Sequence, residues 1–131
     1  TQTKIKLKSL PPQVVANKTK FKQIFQNLIA NAIKFRKKTE ECVIEISGQE
    51  DENFWYFTVA DNGIGIKQDF YDKIFELFKK LHAKSEYQGS GIGLAVCKRI
   101  VEQHGGAIWV ESEVDKGTRF HFSFSKQKAD A

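Results

Sequence analysis

Asp61-Asn62-Gly63-Ile64-Gly65-Ile66 and Gly89-Ser90-Gly91-Ile92-Gly93-Leu94 are the two stretches on which the reading of this chain turns. The first closes a strand-like run and carries an acid. The second opens an apolar pattern at helical spacing. The polar segment between them, residues 79–88, has no periodicity and no apolar face, which predicts a loop. Backbone that bends around glycines beside a helix N-terminus is a way of holding phosphate, because glycine tolerates either sign of φ and brings N–H groups close. A partly buried Asp beside it offers an acceptor to an amino group. Together the stretches predict a nucleotide site, with one end for a base and one for phosphates.

Working outward, residues 42–47 and 54–60 read as strands joined across an acidic turn, a hairpin. Ahead of them lies the clearest helix. Phe21, Ile24, Phe25, Leu28, Ile29, Ala32 and Ile33 form one apolar stripe, Asn17 or Thr19 can cap it, and Arg36-Lys37-Lys38 suits its C-terminal end. Lys4-Ile5-Lys6-Leu7-Lys8 alternates like a lysine-protected edge strand, Pro11-Pro12 breaks the chain, and Val14-Val15-Ala16 reads as a second short strand. Downstream, residues 68–71 read as a weak helix, and residues 91–104 as a helix stopped by Gly105-Gly106. Residues 107–112 and 119–125 then read as strands about a Lys116-Gly117 turn, with Phe120, Phe122 and Phe124 alternating toward one buried face. The expected fold is an α+β two-layer sandwich, its mixed, mostly antiparallel sheet carrying helices on one face. One domain over residues 1–131 is expected, frayed after residue 125.

Composition narrows the function classes. A length of 131 residues, 40% of them apolar, suffices for one packed core. No apolar run approaches membrane-spanning length, and no signal peptide is visible. The start at Thr1, without Met, reads as a cut from a longer protein. Cys42 and Cys97 sit far apart in apolar patterns, as buried free thiols do, and show no metal-ligand spacing. The net charge of +5 fits a phosphate ligand or a solvated face better than nucleic acid, since no aromatic residues interleave the lysines.

On the first helix Asn27, Asn31 and Lys34 recur at i, i+4 and i+7, within roughly 60° of one another and away from the apolar stripe. Two amides and an ammonium on one line can hold a metal–phosphate group, because an Asn carbonyl suits Mg²⁺. Taken alone, the line is better explained as a solvated helix face. Asp61 has its own plain reading, as the residue that orders the Asn62-Gly63 turn. Gly89, Gly91 and Gly93 are not a dinucleotide-binding loop, which needs a strand just before it. What carries weight is the ordered set: amide helix, strand ending in Asp, glycines, loop, glycines opening a helix, and a last strand begun by Gly117-Thr118.

That set resembles the catalytic ATP-binding domain of sensor histidine kinases, in the GHKL ATPase/kinase superfamily with its Bergerat-type fold. Phe25-Gln26-Asn27-Leu28-Ile29-Ala30-Asn31-Ala32-Ile33-Lys34-Phe35 is similar to the N box. Residues 61–66 resemble the first G box, Phe75-Glu76-Leu77-Phe78 the F box, residues 89–94 the second G box, and Lys116-Gly117-Thr118 the last shared element. The resemblance implies that Asp61 accepts from the adenine amino group, with Thr118, Phe35 and Ile66 about the ring. It implies that Asn31 ligates Mg²⁺ and Lys34 contacts the phosphates of ATP. Gly63 and Gly65 would let the chain pass close to the nucleotide. Gly89, Gly91 and Gly93 would hinge a lid over residues 79–88 and, with Leu94, border the nucleotide; His82 and Lys84 in the lid read as solvated residues rather than ligands. Phe75 and Phe78 are expected to pack the core side of that lid.

Hydrolysing members of the class carry a Glu, as base for water, where this chain has Asn27. An amide takes no proton near neutral pH, so Asn27 can position a group but not activate water, and a phosphotransferase is favoured. The resemblance places the acceptor His on a separate dimerisation domain, absent here. None of the three histidines, His82, His104 and His121, has the required acidic neighbour, and His121 is expected at a polar edge. The expected partners are ATP, that dimerisation domain and a response-regulator receiver domain, with no nucleic acid and no membrane contact by this domain. The expected location is cytoplasmic, whether or not the parent is anchored. The alternatives are an ATP-dependent conformational switch and a nucleotide-binding regulatory module without transfer activity.

Overall fold

The computed structural model describes residues 3–75 and 90–127, with the side chains of 90–92 left aside. Two helices and a five-stranded sheet make up the regular structure there. Strand β1 (Thr3–Leu7) is followed by helix α1 (Lys18–Lys34), and then by the hairpin of β2 (Cys42–Glu50) and β3 (Phe54–Asp61). Helix α2 (Ser90–Gln103), β4 (Ile108–Glu113) and β5 (Gly117–Ser125) complete the order. The sheet runs β1-β2-β3-β5-β4, with β1 parallel to β2 and every other pairing antiparallel. A parallel pair needs a long crossover, and α1 supplies it. The mixed, mostly antiparallel α+β sandwich expected from the sequence is what forms.

Each element follows from its residues. The Asn17 side chain accepts from Lys20 N at 3.0 Å, satisfying one orphan donor at the start of α1. Ile24, Leu28 and Ala32 bury the centre of the helical stripe, while Phe21, Phe25, Ile29 and Ile33 flank it. In β3 the alternation buries Trp55, Phe57 and Val59, and in β5 it buries Phe120, Phe122 and Phe124 on the same side. The two sets meet α1 in an aromatic layer. Phe25 lies 5.4 Å from Phe122, Phe21 lies 5.3 Å from Phe57, and Phe57 stacks on Phe122 at 5.2 Å. Cys42 and Cys97 are free and buried in this core, as expected.

The other sheet face is polar. His121 sits there, its Nδ1 2.9 Å from Thr58 Oγ1 and its Nε2 2.7 Å from Glu111 Oε1, with Trp109 stacked on its ring. His104 serves the fold instead: its ring stacks on Phe124 at 4.3 Å, and its Nε2 accepts from Asn17 N.

Three expectations change. Residues 14–16 form no strand. Val14 and Ala16 instead pack, partly buried, against the core. The weak helix near residue 68 is a single 3₁₀ turn, Gln68–Phe70. Strand β3 runs one residue past the expected end, so Asp61 is itself a ladder residue, opposite Ile44 on one side and Thr118 on the other. Among the described residues no helix is long and apolar enough to cross a membrane.

Phe122 is fully buried and touches aromatic rings from α1, β3 and β5. Phe122→Ala is expected to cost about 3–5 kcal/mol, through lost burial and the cavity left behind. Urea unfolding measures this, and a loss below about 1 kcal/mol would show that the aromatic layer is not the centre of the core.

Candidate functional site

The first glycine loop hangs between two anchors. On the α1 side, Ile64 N donates to Phe35 O at 3.0 Å. On the other side, Asp115 N donates to Ile64 O at 2.8 Å, and Ile66 N donates to Ser112 Oγ at 2.7 Å. Both glycines are required by these contacts. A Cβ on Gly63 would stand 2.6 Å from Phe35 O, and Gly65 has φ +81° with its Cβ position 2.3 Å from Glu113 O. The close approach they permit is therefore to the protein's own backbone. Asn62 closes the base of the loop, accepting from Val43 N at 2.8 Å and donating to Glu41 O at 2.9 Å.

Between α1, this loop and the start of α2 lies a cavity of about 310 Å³. It brings together Asn31, Phe35, Gly65, Ile66 and Leu94, all singled out from the sequence. It adds Ile64, Lys67, Phe70, Lys73 and Ile74, which the sequence reading passed over. These sit in an irregular stretch where no periodicity marks a face.

Asp61 and Thr118 do not line that cavity. They form a second group, paired across β3 and β5 on the helix-covered side of the sheet. Gly63 N donates to Asp61 Oδ1 at 2.8 Å, so the turn-ordering role is real. The carboxylate also accepts from Thr118 N. Burial nevertheless pushes its pKa above the ordinary 3.8, the two backbone donors only partly offsetting the loss of water.

The amide line on α1 is not a solvated face. Asn31 is 7% exposed, and its Oδ1 is buried without a hydrogen-bond partner among the described residues. Helix α2 packs along this side of α1, which the apolar stripe alone could not reveal. Asn27 faces the same contact, its Nδ2 3.4 Å from Gly93 O. Lys34 remains exposed, with its ammonium 5.7 Å from the centre of the Phe35 ring. An orphaned carboxamide oxygen beside a cavity fits a hard cation such as Mg²⁺, which takes few protein ligands and keeps waters. Phe75 packs edge-on to Phe120 at 6.0 Å, on the core side as expected. Gly91 falls in the first turn of α2. Gly89, Phe78, His82, Lys84 and the lid at residues 79–88 lie outside the described residues.

Two residues that sequence reasoning missed tie the groups together. Ser112 Oγ contacts Ile66 N, Gly117 O and Thr118 Oγ1. The Tyr71 hydroxyl donates to Ser112 O at 2.7 Å and accepts from Ser112 N at 2.8 Å. Neither carries a signal in the sequence, where each is one polar residue among many.

Comparison with known proteins bears on the family and the fold. The family described as histidine kinase-, DNA gyrase B- and HSP90-like ATPase matches residues 16–128, and the chain belongs to it. Cyanobacterial phytochrome A of Nostoc sp. is 52% identical over 112 residues, covering 86% of this chain and 14% of that protein. The chain thus spans a small part of the curated relatives it matches. Among solved structures, the mycobacterial sensor histidine kinase MprB superposes with a TM-score of 0.78 at 25% identity, covering 94% of this chain and 81% of that one. Full-length ShkA in complex with AMPPNP gives 0.76 at 29% identity, covering 94% of this chain and 25% of that one.

The raised pKa of Asp61 has a sign for stability. As pH climbs from 3.8 through the raised value, the folded form keeps a proton that the unfolded chain has lost, so stability from this group falls. Asp61→Asn keeps an oxygen for both backbone donors and removes the charge. Its melting temperature without nucleotide is expected to equal or exceed the parent's at pH 7, with the gap closing toward pH 4. Thermal melts across that range decide it, and a variant clearly less stable at pH 7 would contradict the desolvated carboxylate.

Proposed function

We propose that this chain is the Mg·ATP-binding catalytic domain of a sensor histidine kinase, presenting the γ-phosphate to a histidine on a separate dimerisation domain. The single observation that carries the reading is the buried, unpartnered Asn31 carboxamide oxygen beside the cavity, between an apolar wall and the glycine loop. Buried polar atoms without partners are rare, and one at a cavity wall calls for a ligand. The family match, and the AMPPNP in the similar ShkA structure, support a nucleotide as that ligand.

In this reading Asp61 and Thr118 receive the adenine edge, with Phe35 and Ile66 packing about the ring. Lys34 and the backbone of Gly89, Gly91 and Gly93 hold phosphate, with Gly91 and Gly93 in the first turn of α2. Asn31 would hold Mg²⁺, which when bound draws charge off the phosphates. Asn27 braces α1 against α2 at Gly93, so that Asn31 keeps its place. It cannot deprotonate water, which favours transfer over hydrolysis. Phosphoryl transfer asks mainly for positioning and charge stabilisation, and this site is built to supply both. The phosphohistidine would then pass its phosphoryl group to a receiver domain, with this domain in the cytoplasm.

Asn31→Ala is expected to weaken ATP binding roughly tenfold or more with Mg²⁺ present, and little without it. Titration calorimetry in magnesium and in chelator tests this. An equal loss in both conditions would remove Asn31 as a metal ligand.

With radiolabelled ATP, this chain by itself is expected to acquire no acid-labile phosphate. A chimera in which it replaces the matching segment of the mycobacterial sensor histidine kinase MprB is expected to acquire one. A chimera that binds ATP yet stays unlabelled would refute the kinase assignment.

A further inference from the structure

The Ser112 hydroxyl closes a hydrogen-bond circuit beside the base end of the site. Its Oγ lies 2.7 Å from Ile66 N, 2.8 Å from Gly117 O and 2.8 Å from Thr118 Oγ1. A serine hydroxyl has one proton and two lone pairs. The Ile66 N–H can only donate, and the Gly117 carbonyl can only accept. Ser112 therefore gives its proton to Gly117 O and takes the Ile66 N–H on one lone pair. The remaining lone pair must accept the proton of Thr118. Ser112 is held in this pose, because Tyr71 clamps its backbone on both sides.

The Thr118 hydroxyl thus has its proton turned toward Ser112, and only lone pairs left for a ligand. Its partner in the ladder is Asp61, on the same face, whose carboxylate is an acceptor too. We infer that Ser112 is a specificity-determining positioning residue, which makes the base end acceptor-only by holding the Thr118 proton. Resting on the nucleotide reading above, this selects a purine with a 6-amino group and rejects a 6-oxo purine. A 6-amino group offers two protons to the two acceptors, whereas a 6-oxo purine offers only its adjacent ring N–H and leaves its oxygen unpaired. Without the Ser112 hydroxyl, Thr118 is free to turn its proton toward the base.

The test uses ATP and ITP, which differ at the 6-position and its adjacent ring proton, titrated into this 131-residue chain. The parent is expected to prefer ATP. Ser112→Ala is expected to weaken both nucleotides but to narrow the ATP-to-ITP ratio by roughly three- to tenfold, the worth of one neutral hydrogen bond. Ser112→Thr keeps the hydroxyl and is expected to keep the parental ratio. ATP binding with the same ratio in Ser112→Ala overturns the inference, as does a parent that binds ATP and ITP equally. A parent that binds neither overturns the nucleotide reading itself. If Ser112→Ala does not fold, NMR of the parent decides. A slowly exchanging Thr118 hydroxyl proton close to Ser112 supports the circuit, and a freely exchanging one refutes it.

Discussion

The structure depends on the pairing of β3 with β5, locked by aromatic rings on one face. Phe57 lies opposite Phe122, Val59 opposite Phe120, and Asp61 opposite Thr118. The register that stacks the rings is thus the register that puts the acid beside the threonine. A slip of one residue would turn every one of these side chains to the polar face. Burial of the phenylalanines under α1 makes such a slip prohibitively costly. Core packing and the pairing of Asp61 with Thr118 are in this sense one constraint.

From the end of that pairing the chain enters the glycine loop, and the loop is held rather than free. Asn62 ties its base to β2, Phe35 O holds one side, and the β4–β5 turn holds the other through Asp115. Lys37 at the end of α1 reaches the same turn, donating to Asp115 O. The loop thereby fixes the distance between the C-terminal end of α1 and the far edge of the sheet, and the cavity opens within that frame. Loops tied at both ends hold the groups around them in fixed positions.

Two polar groups near the cavity and the ladder end are incompletely satisfied. Asn31 buries an oxygen with no partner among the described residues, and Asp61 carries a carboxylate that burial disfavours as an anion. Each costs the ligand-free fold stability, and each cost is relieved by a ligand with matching chemistry, a cation for the first and a hydrogen-bond donor for the second. Cys97, by contrast, is buried with its thiol held protonated, its pKa pushed up to about 11 by loss of water, and it serves only the α1–α2 contact.

The amino-acid sequence by itself determined the elements and their order, because periodicity is a local property. The stripe from Phe21 to Ile33, the alternating phenylalanines of β5 and the glycine pairs each declare a helix, a buried strand face and a tight loop without reference to neighbours. Only the tertiary structure decided what packs on the far side of each element. That is why Asn31 is buried under α2 though it lies off the apolar stripe, and why Val14 and Ala16 pack onto the core instead of forming a strand. It is also why Gly63 and Gly65 are crowded by Phe35 and Glu113, and why Ser112 and Tyr71 meet 41 residues apart in a circuit that no local pattern announces. A hydrogen bond between distant residues needs only two polar side chains, and a sequence holds too many of those for any one pair to stand out.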